Sequence, residues 1–208
     1  MSETLLLAFT AFIVTIDPIG LVPIYIGLTR GVSPERRRAM ALKGVCVAAV
    51  ILVIFALLGE RALGTLGIGM PAFRIAGGLL LLAIGFEMVF QRRSERRGTT
   101  AGQAVDESHS QDVSVFPLAI PLIAGPAAIT TAILQVGAHT GDLVAEALVI
   151  VAMLAVLSLV ACTLMASTVL ASVLGPTLVG VLSRLLGLIL AALAVQQVID
   201  GSKAAFGL

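Results

Sequence analysis

Charged residues are scarce in this sequence. Only 12% of its 208 residues are Asp, Glu, Lys or Arg, whereas 59% are hydrophobic. An ordinary soluble domain carries about a quarter charged residues, so this composition excludes a soluble globular domain. Since a helix needs about 20 apolar residues to cross a hydrocarbon layer roughly 30 Å thick, the chain has room for about six or seven spans with short connections. The composition therefore predicts one compact membrane domain.

Cysteine is equally scarce, and several other signals are missing. Cys46 and Cys162 fall in apolar runs without metal-ligand spacing, which predicts two buried thiols and neither a disulfide nor a metal site. His109 and His139 are expected in loops, without a metal role. No Gly-x-x-x-x-Gly-Lys loop is present to use ATP, and no cofactor is expected. The start at Met1 lacks the basic region of a signal peptide, so the first helix is expected to remain in the mature protein.

Six apolar windows are long enough to span a membrane. Helices are predicted for all of them, because backbone polar groups in lipid must be satisfied internally and the windows are too evenly apolar for barrel strands. The windows are 5–28, 42–58, 70–90, 115–136, 143–166 and 174–199. The sequence therefore predicts an all-α polytopic membrane protein of six transmembrane helices.

The distribution of basic residues predicts the orientation of these helices. Nine of the 13 Lys and Arg residues lie in the first and third connections. By the positive-inside rule both connections are cytoplasmic, which places both termini outside. The third connection, 91–114, is polar and contains glycines, so it is predicted as a flexible cytoplasmic linker. It joins two three-helix halves, 1–90 and 115–208.

The two halves carry corresponding breaks. Asp17-Pro18 in the first span matches Gly125-Pro126 in the fourth, 108 positions later. Proline removes a backbone donor and clashes with the preceding turn, so each span should break there into two half-helices. With three spans in each half, the halves enter the membrane from opposite sides. This is the inverted repeat found in many secondary transporters.

The third and sixth spans support the same symmetry. The segment at 73–77, FRIAG, corresponds to SRLLG at 183–187, an offset of 110. The glycines of these spans predict close helix packing. Ten positions after the last glycine of each segment lies a polar side chain, Glu87 in one half and Gln197 in the other.

Asp17 is the most costly residue of the first span. A carboxylate at the bilayer centre costs about 2.5 to 3.5 kcal/mol on insertion scales. Counted from Leu5 at 1.5 Å per residue, Asp17 lies roughly 18 Å into the membrane, near the midplane. Asp before Pro is a helix-start signal, and Gly before Pro is a weaker one. Two positive half-helix N-termini would then converge at the midplane and bind an anion, for which a carboxylate is the natural ligand.

Side chains near the breaks complete a candidate site. Asp17 is a candidate ligand for an ammonium group or a coupling proton, Thr130 and Thr131 could supply hydroxyls, and Gly20 and Ala128 leave room for a small ligand. The alternative is that each proline merely kinks its helix and Asp17 caps the kink. An acidic residue at paired midplane breaks favours the functional site.

Two arginines lie close to the starts of spans. Arg74 and Arg184 could each extend a long side chain to water, and interface anchoring is the interpretation we favour. A gate in which they pair with Glu87 or Asp200 is the alternative. Gln197 belongs to the same set of candidate gating or interface side chains.

Two motifs resemble the MarC family of membrane proteins, also described as the small neutral amino acid transporter family. They are DPIGLVPI at 17–24 and PLAIPLIAGP at 117–126, the latter followed by Ile129-Thr130-Thr131. The resemblance covers the whole chain. It departs from the family pattern at Ala127, where another glycine is usual, and that could reduce the space for a substrate.

The resemblance implies a six-span transporter of small neutral amino acids such as glycine and alanine, distantly related to amino-acid exporters. The predicted substrate-binding residues are Asp17, Pro18, Ile19, Gly20, Pro23, Gly125, Pro126, Ala127, Ala128, Thr130 and Thr131.

Our hypothesis from the sequence is a secondary transporter with alternating access in a bacterial inner membrane, with proton coupling through Asp17 as one form. The expected partners are a small zwitterionic solute and the lipid bilayer, with a homo-oligomer as a further option and no nucleic acid. A passive channel or metal-ion exporter and a non-transporting scaffold are the rivals. An enzyme is not expected, because no Ser, His and Asp set lies at a common depth.

Overall fold

In the computed structural model, the described residues are 2–93, 95–99, 102 and 112–207, and they contain helices and no strand. The helices are α1 (Ser2–Ile16), α2 (Pro18–Leu28), α3 (Pro34–Thr65), α4 (Met70–Val89), α5 (Ser114–Ile123), α6 (Pro126–Gly137), α7 (Leu143–Met165) and α8 (Ser167–Phe206). The predicted all-α fold is thus confirmed.

Within the described residues, five helical stretches are long and apolar enough to cross a membrane. They are Glu3–Leu28, Pro34–Thr65, Met70–Val89, Leu143–Met165 and Thr177–Phe206. Helices α5 and α6 meet the same criteria together, although they are bent by 57°, and they raise the number of spans to six if they form one broken span. The protein is therefore a multi-pass membrane protein with five or six spans, of which the first and the bent pair are the two broken ones.

Several helices are longer than the apolar windows suggested. The predicted window 42–58 lies inside α3. This helix begins at Pro34, because Ser33 Oγ accepts a hydrogen bond from the Arg36 backbone N at 3.4 Å and so caps it. The window 174–199 became α8, which is interrupted at Gly175, where φ is 61°. Apolar windows underestimate these helices because the helices continue beyond their hydrophobic part.

Glycines bring α4 and α8 into close contact. A Cβ at Gly78 would lie 2.8 Å from the carbonyl oxygen of Ala194, and one at Gly85 would lie 3.0 Å from that of Gly187. Real Cβ atoms rarely approach other atoms so closely, so the two backbones can meet only where these side chains are missing. The predicted role of glycine in helix packing is confirmed for this pair of helices.

The outer surface of the helices is largely apolar. Leu57, Leu79 and Leu188 each expose half or more of their surface, as expected for helices that face lipid. Cys46 and Cys162 lie on the same surface and are both exposed free thiols. The prediction that they are buried was wrong, because an apolar run in a membrane helix also supplies the side chains that face lipid.

The connection after α4 is partly helical. Residues 92–93 and 95–99 are helical, and Arg93 is only 5% exposed. We call these residues the arginine segment, since they include Arg92, Arg93, Arg96 and Arg97. A helical and partly buried stretch was not predicted here, because the polar composition favoured a flexible linker. His109, in the same predicted linker, lies outside the described residues.

Candidate functional site

The first break of the chain is built around Asp17. Helix α1 ends at Ile16 and α2 begins at Pro18, while Asp17 adopts the left-handed conformation with φ 59° and ψ 69°. Its Oδ1 accepts a hydrogen bond from the Gly20 backbone N at 3.1 Å, and the residue is only 3% exposed. The predicted break and N-cap are both present. The N-terminus of α2 is therefore already occupied by a carboxylate of the protein.

Gly20 is required by this cap. A Cβ at Gly20 would collide with the carboxylate of Asp17, because the side chain folds back over the first turn of α2. The motif Asp-Pro-x-Gly thus has a local structural meaning. Its aspartate caps the helix, and its glycine leaves the space in which the carboxylate lies.

The second break lies at Gly125 and has a different form. Gly125 is extended, with φ −85° and ψ 173°, and no side chain among the described residues caps the N-terminus of α6. The first backbone hydrogen bond of the helix runs from Ile129 N to Gly125 O at 3.0 Å. The N–H groups of Ala127 and Ala128 precede it, and Gly125 has no side chain that could cap them. The partial positive charge of this N-terminus is thus available to a ligand.

The segment before this break is irregular. Helix α5 is of the π type, as in the hydrogen bonds from Leu118 N to Val113 O at 3.1 Å and from Ala124 N to Ala119 O at 2.8 Å. Ile120 has extended backbone angles inside it. Distortions of the π type are frequent at functional sites in other proteins, and here the distorted segment leads directly into the break.

Two arginines of the arginine segment, the buried Arg93 and the partly buried Arg97, reach the two breaks. Arg93 Nη2 donates to the carbonyl oxygen of Thr15 at 2.6 Å, near the C-terminus of α1. Arg97 Nη2 donates to the carbonyl oxygen of Leu122 at 3.4 Å, near the C-terminus of α5. Arg97 Nη1 also lies 4.0 Å from Asp17 Oδ2. Each arginine thus places its positive charge at the negative end of one half-helix, where cations are stabilising.

Burial affects the charge of both arginines. It lowers the pKa of Arg93 to about 9, and the nearby charge of Arg97 acts in the same direction, whereas Asp17 and Glu87 raise it. Burial also lowers the pKa of Arg97, while Asp17 opposes that effect. With a pKa of about 9, Arg93 still carries its charge at neutral pH. The site is therefore a buried positive region that is partly balanced by carboxylates.

A cavity of about 360 Å³ lies beside the second break. Its wall includes the start of α6, from Gly125 to Ala128, together with Glu87, Arg93 and Arg97. The volume is within the range of about 300 to 1,000 Å³ that is typical of small-molecule sites. The cavity therefore combines an uncapped helix N-terminus with charges of both signs.

A second cavity, of about 480 Å³, lies beside the first break. Asp17 and Pro23 line it, and so does Gly175 at the interruption of α8. Arg93 belongs to the walls of both cavities. The two breaks are thus adjacent to separate spaces with one arginine in common.

The structure divides the predicted substrate-binding residues into groups. Asp17 and Pro23 line the 480 Å³ cavity, whereas the first four residues of the second break line the 360 Å³ cavity. Thr131 lines a third space of about 30 Å³ with Gln197, and its hydroxyl has no hydrogen-bond partner among the described residues. The predicted residues that line none of these cavities are Pro18, Ile19, Gly20 and Thr130.

The candidate gating residues are not paired with one another. Glu87 Oε1 accepts a hydrogen bond from Arg96 Nη1 at 2.7 Å, and neither Arg74 nor Arg184 forms an ion pair within the described part of the chain. Arg184 lies on the exposed side of α8. Glu87 thus belongs to the site beside α6, with a partner from the arginine segment.

Sequence reasoning missed Arg93 and Arg97 as site residues. Their spacing of four positions puts both on one face of a helix, which is a signal that could have been used. The cluster was interpreted only as a determinant of orientation, because four arginines in a polar stretch normally remain in water.

The described residues contain no group of three or more His, Cys, Asp and Glu side chains that could hold a metal ion. His139 lies in the turn after α6, where Nδ1 is 2.9 Å from the carbonyl oxygen of Gln135.

Comparisons with known proteins give a family match over nearly the whole chain. Residues 2–206 match the model of the MarC family integral membrane proteins. A UPF0056 membrane protein of Methanocaldococcus jannaschii is 36% identical over 203 residues, which are 96% of each chain. The UPF0056 inner membrane protein YhgN of Escherichia coli is 30% identical over 199 residues, which are 94% of each chain. No solved structure matches the chain.

Proposed function

Since the chain belongs to the MarC family of integral membrane proteins, we propose that it is a secondary transporter of small neutral amino acids such as glycine and alanine. Its place in the bacterial inner membrane is part of the proposal, and it is supported by the name of the Escherichia coli relative as an inner membrane protein. We propose alternating access as the mechanism.

The observation that carries this proposal is the uncapped N-terminus of α6. It opens on a cavity of about 360 Å³, inside a membrane protein where unsatisfied backbone N–H groups are costly. Discontinuous helices whose N-termini bind an anionic substrate group are a recurring design of secondary transporters. A solute with a carboxylate fits this site better than a metal ion or an uncharged solute.

The packing of the helices supports an inverted repeat. Helices α1 and α2 pack against α7, and α5 and α6 pack against α3. Likewise α2 packs against α8 and α6 packs against α4. If the halves are exchanged, so that α1 to α4 correspond to α5 to α8 in order, each of these helix pairs becomes another pair that is also in contact. We infer two inverted halves, with both termini outside because the basic residues collect in the first and third connections.

Alternating access requires that a central site open to one side at a time. The cavities beside the two breaks are separate and share the wall at Arg93, which is buried and bonded to Thr15 O. We propose that movement of the arginine segment opens one of the two cavities to the substrate while it closes the other. A proton is the coupling ion to test, since Asp17 is a buried acidic side chain beside the second cavity.

Uptake by the purified full-length chain in liposomes tests the proposal. Labelled glycine or alanine should accumulate inside against its own gradient when a pH gradient is imposed, and liposomes without protein should show none. Uptake that stops at equal concentrations would indicate a passive channel instead. No flux of any amino acid would favour the non-transporting scaffold.

Three variants locate the site in the same assay. We expect Gly125→Leu to abolish uptake and Asp17→Ala to reduce it at least tenfold. Gly27→Leu is the control for adding a leucine to a half-helix, because a Cβ at Gly27 would meet nothing within 4 Å, whereas a Cβ at Gly125 would collide with the carbonyl oxygen of Pro121. Loss of uptake in Gly125→Leu therefore counts only if this variant unfolds on heating at the same temperature as the unmodified protein. If both site variants transport like the control, the site assignment is wrong.

A further inference from the structure

Two buried charged atoms of opposite sign beside the cavity at α6 lack hydrogen-bond partners among the described residues. They are Arg97 Nη1 and Glu87 Oε2, and both side chains line the same space of about 360 Å³. We propose that they bind the two ends of a zwitterion, the carboxylate at Arg97 and the ammonium group at Glu87. This assignment rests on the proposed transport of amino acids and names the groups that recognise them.

Arg97 has one donor to spare. Its Nη2 already donates to Leu122 O at 3.4 Å, whereas Nη1 lies 4.0 Å from Asp17 Oδ2, which is too long for a hydrogen bond. Asp17 thus balances part of the charge and leaves the donor unused. A carboxylate in the cavity could accept from Nη1 and from the N–H groups at the start of α6. Arginine suits this role because its guanidinium presents several donors in a fixed plane.

Glu87 has an acceptor to spare. Its Oε1 accepts from Arg96 Nη1 at 2.7 Å, while Oε2 is buried without a partner among the described residues. An ammonium group carries three donors and could bind Oε2 without displacing Arg96. Asp17 is less suited to that role, because its Oδ1 caps α2 and its side chain lines the other cavity. The ammonium ligand inferred here is therefore Glu87, where the sequence pointed to Asp17.

The part of the cavity wall that α4 forms beside Glu87 favours a small uncharged side chain. Leu80, Ala83 and Ile84 from α4 contribute apolar surface to it. A charged substrate side chain would lose its hydration against these residues without a new partner. The two charged ends and the apolar wall together describe a neutral α-amino acid.

Substrate analogues test the assignment on the unmodified protein. Alanine uptake into liposomes is measured with unlabelled competitors, namely alanine, alaninamide without the carboxylate and N-acetylalanine without the ammonium group. We expect each analogue to compete at least about 100-fold more weakly than alanine, since a site built for a charged or hydrogen-bonding group rejects an analogue that lacks it strongly. An analogue that competes within about threefold of alanine would overturn the assignment at its end of the site.

Variants assign each end to its residue. In Glu87→Gln, competition by alanine should weaken at least tenfold, whereas competition by N-acetylalanine, which has no ammonium group, should stay within about twofold. In Arg97→Gln, competition by alanine should weaken to the same extent, whereas competition by alaninamide, which has no carboxylate, should stay within about twofold. Arg92→Gln is the control, because Arg92 is exposed in the same segment and lines neither cavity. If the glutamine variants weaken alanine and both analogues equally, neither residue recognises a single end and the assignment fails.

The two proposals fail in different ways. If alanine enters the liposomes but neither the analogues nor the variants discriminate, only the roles of Glu87 and Arg97 are wrong. If competitive uptake is absent for every amino acid while the purified protein still unfolds cooperatively on heating, the transport proposal is wrong, and the zwitterion site falls with it.

Discussion

The two broken spans have proline at corresponding positions, but the residue before each proline differs. At the first break Asp17 folds back over α2, and its carboxylate accepts the Gly20 N–H. At the second break Gly125 has no side chain, and α6 begins without a cap. The backbone thus interrupts both spans at equivalent places, while only one of the two helix N-termini is neutralised by the protein itself.

This difference indicates what each break is for. The carboxylate of Asp17 stabilises the first break within the protein and lies 4.0 Å from Arg97. The second break needs a carboxylate from elsewhere to reach the same state. Position 128 holds alanine where the first break has Gly20, so the space that the Asp17 carboxylate occupies at the first break is filled by a methyl group at the second. A ligand carboxylate would therefore reach the start of α6 from the cavity. The first break is capped by the protein itself, and the second is the candidate site for the substrate's carboxylate.

The largest expected effect comes from making the second break resemble the first. The double variant Gly125→Asp with Ala128→Gly supplies both the carboxylate and the space that it occupies at the first break. The new side chain should cap α6 and compete with the substrate's carboxylate, because both need the same N–H groups. Alanine uptake into liposomes should fall at least about 100-fold.

The matched control for this variant is Gly125→Ala with Ala128→Gly. Any Cβ at position 125 collides with the carbonyl oxygen of Pro121, so both variants carry that disturbance. Only the aspartate adds a carboxylate. If the two variants lose uptake to the same extent, the collision explains the loss and the helix N-terminus is not the site of the substrate's carboxylate.

The next largest effect concerns the stability of the first break. Asp17→Ala removes the N-cap and places alanine in a left-handed conformation, which together should lower the free energy of unfolding by about 2 kcal/mol. Asp17→Asn should cost less than half of that, because asparagine also caps helices and tolerates this conformation. Thermal unfolding of the purified protein in detergent measures both. Equal losses would mean that the charge beside Arg97, and not the cap, is the main contribution of Asp17.

The breaks could be predicted from sequence because they depend on local chemistry. Proline interrupts a helix wherever it stands in the interior, and Asp before Pro caps the helix that follows. The broken first span and its N-cap were therefore within reach of the sequence alone.

The charged part of the site could not be predicted in the same way. Arg93 and Arg97 are 17 or more positions from either broken span, and their burial depends on where the segment after α4 returns to the bundle. Composition favoured a solvated linker, because an arginine is rarely buried without partners. Those partners are backbone carbonyl oxygens of Thr15 and Leu122, and only the tertiary structure brings them to the arginines.

A smaller effect separates the glycine of the first break from its counterpart. Gly20→Ala should lower the free energy of unfolding by about 1 to 2 kcal/mol, since the new Cβ meets the Asp17 carboxylate in a packed interior. Ala128→Gly should cost about 1 kcal/mol or less, from helix propensity alone. Combining Gly20→Ala with Asp17→Ala provides the check, because the collision is then gone. If Gly20→Ala costs as much without the carboxylate as with it, the two side chains are not coupled.

The smallest expected effect concerns the entry to the second broken span, which has a tether of its own. Asp112 Oδ2 accepts from Lys43 Nζ at 2.7 Å, and Oδ1 accepts from Ser114 N at 3.0 Å. Hydrogen bonds from Lys43 and Ser114 lower the pKa of Asp112 from 3.8 to about 2. A lowered pKa means that the tether contributes stability above about pH 4 and loses it as the pH falls towards 2. Because the Lys43 and Asp112 side chains are 54% and 41% exposed, the contribution should be small and weaker in high salt.

The unfolding temperatures of the unmodified protein and of Asp112→Asn should therefore differ slightly at pH 6 and coincide near pH 2. A difference that persists at pH 2 would show that Asp112 acts through its shape or its neutral hydrogen bonds and not through its charge.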